Sequence, residues 1–296
     1  MLLCACATLA APAAASAHAR TTTVALDYRL ALDRTAVPGV HASILDGDRS
    51  LRLATAGATV VVRGDLGEPM LRITRQGTWA NRASTTAVAE RLVSSGSGWQ
   101  QVGHGPSYTW HEHRLAPPPF GSKTGPVARF TIPLTVDGRP AAIGGTFVRH
   151  ARPALWPWLA AAAAFAAAVA LAVRTHLAVT TPLGAAAGLA ALGSLVAFSV
   201  ADAPNGQVAW LQIALGTALA AALYAVLIRA PQARRPAVAG ILGGVAAAVS
   251  LGSLGVFRHG VVVSALPGTA SRALLELAFL AGVAAAATSL RGEARR

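Results

Sequence analysis

Arg149-His150-Ala151-Arg152-Pro153-Ala154-Leu155-Trp156-Pro157-Trp158 leads into an unbroken run of Ala, Leu, Val and Phe that ends at Val173. Before this stretch the chain is polar, charged and alternating. After it the chain is almost entirely apolar, with short basic interruptions. Trp156 and Trp158 carry the amphipathic rings that settle at a membrane–water interface. The stretch therefore reads as the entry of an exported domain into a bilayer, with the two indoles as interface anchors.

Toward the C-terminus, five apolar segments follow, at about 155–173, 183–201, 208–228, 237–257 and 272–290. Each approaches the ~20 residues that cross a bilayer as a helix. One set of connections carries Arg174, then Arg229, Arg234 and Arg235, then Arg291, Arg295 and Arg296. The alternate set carries Asp202 and Arg258. The positive-inside rule then places the C-terminus in the cytoplasm and residues 20–150 outside. No internal repeat relates the five segments, so an inverted-repeat transporter gains no support.

Toward the N-terminus, residues 20–150 alternate with a period of two. Val24, Leu26 and Tyr28 begin the pattern, and apolar runs recur at Ala42–Leu45, Leu51–Ala54, Thr59–Val62 and Met70–Thr74. Gly, Pro, Asp and Asn cluster between the runs, as turns require. Asp137-Gly138 is a two-residue hairpin signal between Phe130–Val136 and Ala141–Val148. Several short strands without an amphipathic helix imply an all-β sandwich, immunoglobulin-like or cupredoxin-like. Residues 1–19 read as a signal peptide, with small residues suited to cleavage after Ala17 or Ala19. The expected fold is thus a signal peptide, an extracytoplasmic β-sandwich over 20–150, and a five-helix transmembrane bundle over 151–296.

Composition agrees. Hydrophobic residues make up 54% of the chain and charged residues 12%, against roughly 25% charge in soluble domains. The formal net charge is +13, a value that invites nucleic acid as a partner. Its distribution argues otherwise. Residues 20–150 hold fifteen Lys/Arg and nine Asp/Glu, a difference of +6. Outside a cell the anionic neighbours are lipid headgroups and wall polymers. Cys4 and Cys6 both fall within the leader, so the processed chain has no disulfide and no cysteine chemistry.

Ser107-Tyr108-Thr109-Trp110-His111-Glu112-His113-Arg114 is the most suggestive stretch for chemistry. In a strand, Tyr108 and Trp110 point to the core while His111 and His113 share the opposite face. Two imidazoles so spaced suit Cu or Zn. His104 is the first candidate for a third ligand, with His150 and His259 behind it. Glu68 and Arg72 are expected to form a surface pair. In the last apolar segment Arg272 and Glu276 stand four residues apart, the spacing of a helical ion pair, and an intramembrane carboxylate is a functional candidate in its own right. No Gly-x-Ser-x-Gly elbow, phosphate loop, dinucleotide fingerprint or His-Glu-x-x-His occurs, so no enzymatic activity is expected.

Two resemblances add to this reading. Gly67-Glu68-Pro69-Met70-Leu71-Arg72, Asn81, Tyr108-x-Trp110-His111-Glu112-His113-Arg114, Val136-Asp137-Gly138 and Trp156-Pro157-Trp158 resemble a family of actinobacterial membrane proteins of unknown function. That family's pattern has Tyr at the position of Met70, Asp at Glu112 and often His at Ala116. The resemblance implies shared architecture, and the change at Ala116 weakens a three-imidazole site. Cleavage after Ala17 would make His18 the N-terminus, an arrangement similar to that of CopC-type copper proteins, whose domain is also a small β-sandwich. The expected role is non-enzymatic binding or interaction at the cell envelope, with copper as the metal and the bilayer or another envelope protein as partner. The alternative is a small transporter or permease component whose β-domain gates or delivers the substrate.

Overall fold

The computed structural model describes residues 25–33, 37–45, 50–117, 119, 123–201 and 210–293. The leader and His18 lie outside the described residues. Two compact units result, a β-domain from Leu26 to Ala151 and a helical unit from Arg152 onward.

Among the described residues the β-domain contains ten strands: β1 (Tyr28–Leu32), β2 (Val40–Leu45), β3 (Ser50–Thr55), β4 (Val60–Arg63), β5 (Pro69–Ile73), β6 (Gly77–Asn81), β7 (Trp99–His104), β8 (Ser107–His111), β9 (Gly125–Val136) and β10 (Arg139–Arg149). A seven-stranded sheet runs β1-β10-β9-β4-β5-β6-β7, and a three-stranded sheet runs β2-β3-β8. Each pairing is antiparallel. The chain crosses between the sheets after β1, β3, β7 and β8, the third time at Gly105-Pro106.

Period-two alternation assigns the faces. Leu51 and Leu53 of the small sheet meet Val60, Val62, Ile73, Ile132 and Leu134 of the large one in a single core. Trp110 is buried in that core, and Tyr108 packs against it. The sandwich expected from the sequence is therefore the observed architecture. The Asp137-Gly138 hairpin forms with Val136 opposite Arg139. Both turn residues have positive φ, 49° and 80°, as a tight turn matching the strand twist requires. Asp137 Oδ1 also accepts from Thr59 N at 2.8 Å, tying the hairpin to β4.

One helical element interrupts the strands, within the expectation of no amphipathic helix. Thr85–Ala89 forms a single short helix, α1, with Ser84 as N-cap, its Oγ accepting from Ala87 N at 3.1 Å. Only five residues long, α1 has no amphipathic period to read.

The helical unit holds α2 (Trp156–Arg174), α3 (Thr180–Val200), α4 (Trp210–Arg229), α5 (Arg235–Leu251) and α6 (Gly268–Glu293). Of these, α2, α3, α4 and α6 are long and apolar enough to cross a bilayer. The protein is thus a membrane protein carrying an N-terminal β-domain. The segment expected at 237–257 is corrected. Its α-helix stops at Leu251 with 17 residues, and Leu254–Phe257 continues as a 3-10 turn. Composition stays apolar to Phe257, but Gly252-Ser253 and Gly255 are poor helix residues.

Small residues set the packing of α3, α5 and α6. A Cβ on Gly184 would lie 2.3 Å from Ala239 O, and one on Gly282 would lie 2.4 Å from Gly243 O. Backbone thus meets backbone, as in membrane helix pairs generally. Thr180 Oγ1 donates to Thr288 Oγ1 at 2.9 Å, and Tyr224 Oη donates to Ala185 O. Trp156 is exposed, while Trp158 packs edge-on against Phe257 at 5.4 Å between centroids. The two expected anchors therefore differ in environment.

Candidate functional site

The densest polar grouping of the β-domain forms where the β4–β5 turn, the end of α1 and the end of β8 meet. The turn comes first. Glu68 precedes β5, and its Oε1 accepts from Ser84 Oγ at 2.8 Å and from Thr86 N at 3.2 Å. Oε2 accepts from Leu66 N at 3.0 Å. Gly64 makes room for this carboxylate: a Cβ there would lie 2.3 Å from Glu68 Oε1. Asp65 N donates to Thr86 Oγ1 at 2.9 Å, and Asn81 Nδ2 to Pro69 O at 2.8 Å. The expected Glu68–Arg72 pair is corrected: Glu68 caps α1, and Arg72 stacks on Trp79 and Trp99. Unsatisfied N–H groups at a helix start compete for a carboxylate more directly than a guanidinium four residues along a strand.

Burial pushes the Glu68 carboxyl up, but the bonds from Ser84 and Thr86 outweigh it and hold the group at about 2, below its ordinary 4.5. A depressed carboxylate contributes stability that is present above its unfolded value and lost as pH falls through the folded one. The β-domain is therefore expected to weaken between pH 4.5 and about 2. In Glu68→Gln this part of the acid dependence should flatten, as read by thermal unfolding followed by near-UV circular dichroism.

The end of β8 supplies the core of the grouping. Glu112 is 1% exposed. It takes a bidentate pair from Arg114, Nε to Oε1 and Nη2 to Oε2, both at 2.7 Å. Trp110 Nε1 donates to Oε2 at 3.0 Å, and Arg114 N to Oε1 at 3.2 Å. Arg114 Nη1 continues to Arg63 O at 3.0 Å. Burial raises the Glu112 carboxyl, but hydrogen bonds and charge from Arg114 prevail and lower it.

His113 lies above this buried pair. Its Nε2 is 2.9 Å from Asp65 Oδ2, its Nδ1 contacts Glu90 Oε1, and its N–H donates to the same Glu90 oxygen at 3.1 Å. Glu90 is delivered by the end of α1, which closes through a left-handed Arg91 (φ 56°) and a bond from Leu92 N to Ala87 O. His113 and Asp65 are 43% and 47% exposed, so the grouping opens to solvent. Ligand atoms of Glu90, Glu112 and His113 lie within 4.8 Å of one another.

The expected histidine face is only partly formed. Exposure alternates from Trp110 to His113, with Trp110 and Glu112 buried and His111 and His113 exposed, although strand pairing reaches only His111. The strand then ends, and His113 opens a 3-10 turn. Glu112 is still extended (φ −116°, ψ 104°), and the turn that begins after it gives His113 to Asp65 and Glu90. His104 ends β7 on the other sheet, with Nδ1 3.3 Å from Gln101 Nε2. Among the described residues, no metal-capable group of three includes His104 or His111. Trp110, Glu112 and Arg114 stand at alternate positions, so their common inward face was present in the spacing. The partnership of Asp65 and Glu90 was not, because each comes from a distant segment.

Arg272 and Glu276 also differ from expectation. Arg272 is 6% exposed. Its Nε donates to Val256 O at 2.8 Å, and its Nη2 to His259 O at 2.9 Å. No ion pair among the described residues joins it to Glu276, which is half-buried. Carbonyls of the 3-10 turn and its exit lack helical partners, and in an apolar surrounding they need a donor. Comparison with protein-family models, with curated proteins and with solved structures finds no match for this chain.

Proposed function

We propose that this is a non-enzymatic membrane protein whose β-domain is an extracytoplasmic binding module at the outer face of the cell envelope, taking a divalent cation at His113. The observation that carries this reading is the grouping of His113, Glu90 and Glu112, whose ligand atoms lie within 4.8 Å of one another, with His113 at its exposed edge and Glu90 nearly buried. Arg114 occupies both oxygens of Glu112, which leaves His113 Nδ1 and Glu90 as the first donors, while Asp65 meets Nε2 on the other edge of the ring and orients it. The copper expectation rested on several imidazoles. One imidazole with carboxylates suits Zn(II) better.

Calorimetric titration of Zn(II) and of Cu(II) into the full-length protein in detergent tests the site. His113→Ala should lose binding, and His104→Ala and His111→Ala should retain it. Affinity should fall with acid, because a metal-binding imidazole must be deprotonated. Equal affinity in wild type and His113→Ala would sink the proposal. The orientation follows from the basic connections. Alkaline phosphatase fused after Ile143 or Gly206 should be active and after Arg235 inactive.

Glu276 supports a second reading, a small transporter component, because a carboxylate inside a spanning helix is costly unless used. Labelling of Glu276 by a lipid-soluble carbodiimide, blocked by a transported cation, would favour it over the binding module.

A further inference from the structure

The outward face of the large sheet carries a feature that the His113 grouping does not use. Arg72 of β5 stands directly opposite Trp79 of β6, and Trp79 opposite Gln101 of β7. Trp99 lies two residues before Gln101 on the same strand, so it shares that face. The Arg72 guanidinium carbon is 5.2 Å from the Trp79 ring centre and 4.8 Å from that of Trp99. Both indoles are half-buried, while Thr78 and Ala80 on the opposite face of β6 are buried. Trp79 lies along the sheet rather than standing off it: its Cη2 would be 3.3 Å from a Cβ on Gly77. The missing side chain at Gly77 leaves that space.

Among the described arginines of this domain, Arg72 is distinguished by its two indole contacts. Arg114 and Arg129 form ion pairs, and Arg63 and Arg82 donate to backbone carbonyls. Among the described residues Arg72 has no carboxylate partner and no hydrogen bond, and none of its nitrogens is buried without a partner. Its planar face is held by two indoles and its N–H edge is open. A guanidinium stacked in this way is ordered before it binds, and its fork matches a carboxylate bidentately.

We propose that Trp79, Arg72, Trp99 and Gln101 bind a carboxylate-bearing glycan of the uronic acid class. The indoles supply flat apolar surface for the C–H face of a pyranose ring, Arg72 takes the carboxylate, and Gln101 offers an amide to a hydroxyl. The net +6 of residues 20–150 complements an acidic polymer. A lipid surface fits less well, because inserting rings must protrude and carry apolar neighbours. Here Trp79 lies flat between Arg72 and Gln101. The proposal rests on the reading of the β-domain as an exported binding module, and it is independent of the metal at His113.

The test is calorimetric titration of an oligogalacturonate into the full-length protein in detergent, with a neutral glucan oligomer of equal length and anionic lipid vesicles as comparisons. Oligogalacturonate should bind and quench tryptophan fluorescence, and the neutral oligomer should bind more weakly. Arg72→Lys keeps the charge but loses the fork, and it should weaken binding at least about tenfold. Trp79→Ala and Trp99→Ala should each weaken it several-fold, and Gln101→Ala, an exposed change that spares the fold, less. His113→Ala should bind the glycan as wild type does, which separates failure of this site from failure of the metal site. Unchanged affinity in Arg72→Lys and Gln101→Ala would overturn the proposal. So would vesicle binding that depends on Trp79 and Trp99 without glycan binding, which would assign the face to the bilayer.

Discussion

Replacing Glu112 by Ala is expected to destabilise the β-domain by about 3–5 kcal/mol, the cost of leaving a partly buried charge without its partner. Glu112 is 1% exposed and Arg114 16% exposed, so water reaches this pair poorly. Removing the carboxylate leaves Arg114 Nε and Nη2 without acceptors, and it also frees Trp110 Nε1 and Arg114 N. Trp110→Phe removes a single donor and keeps the ion pair, so it should cost only about 1 kcal/mol plus a small packing loss. Denaturant unfolding of the full-length protein in detergent, read in the near-UV, ranks the two. Equal and small effects would show that Arg114 is satisfied by water and that the pair carries little. The consequence extends to function, because His113 and Glu90 sit on this pair. A folded Glu112→Ala protein should also bind Zn(II) more weakly than wild type.

The second large effect belongs to the membrane helices. Gly282→Leu should prevent normal association of α5 with α6, and Gly282→Ala should already cost at least about 1–3 kcal/mol by overpacking. The reason is the identity of the atoms in the way. A Cβ at Gly282 would lie 2.4 Å from Gly243 O and 3.0 Å from Ala247 N, both backbone atoms that no rotamer change can move. Gly244, on the same helix as Gly243, has nothing within 4 Å of an added Cβ. Gly244→Ala should therefore be neutral or gain about 0.5–1 kcal/mol from helix propensity. The measurement is the temperature at which half of the monodisperse protein is lost on size exclusion after heating in detergent. Loss at the same temperature for Gly282→Ala and Gly244→Ala would mean that α5 and α6 are not held by this contact.

Much of the architecture was written in local pattern. Period-two alternation determined which residues of β3, β4, β8 and β9 face the core, because successive side chains of a strand must point to opposite sides. Asp137-Gly138 determined its hairpin, because those residues tolerate the positive φ that the turn demands. Apolar length determined α2, α3, α4 and α6 within a few residues, and Trp156 marked where the first begins.

The site was another matter. His111 and His113 were paired by spacing alone, and strand pairing ends at His111, before the turn that carries His113 to Asp65 and Glu90. Alternation put Glu112 on the inner face with Trp110, and the fold supplied the partners that satisfy it there: the bidentate Arg114, itself held by Arg63 O. Glu68 and Arg72 were neighbours by spacing, yet each had a better partner from a distant segment: Ser84 and Thr86 for one, Trp79 and Trp99 for the other. Arg272 likewise turned from Glu276 to carbonyls left open where α5 stops short. Backbone periodicity is a property of each segment alone. Partner choice among charged groups is set by which desolvated donors and acceptors the fold brings within reach, and that competition exists only once the segments have met.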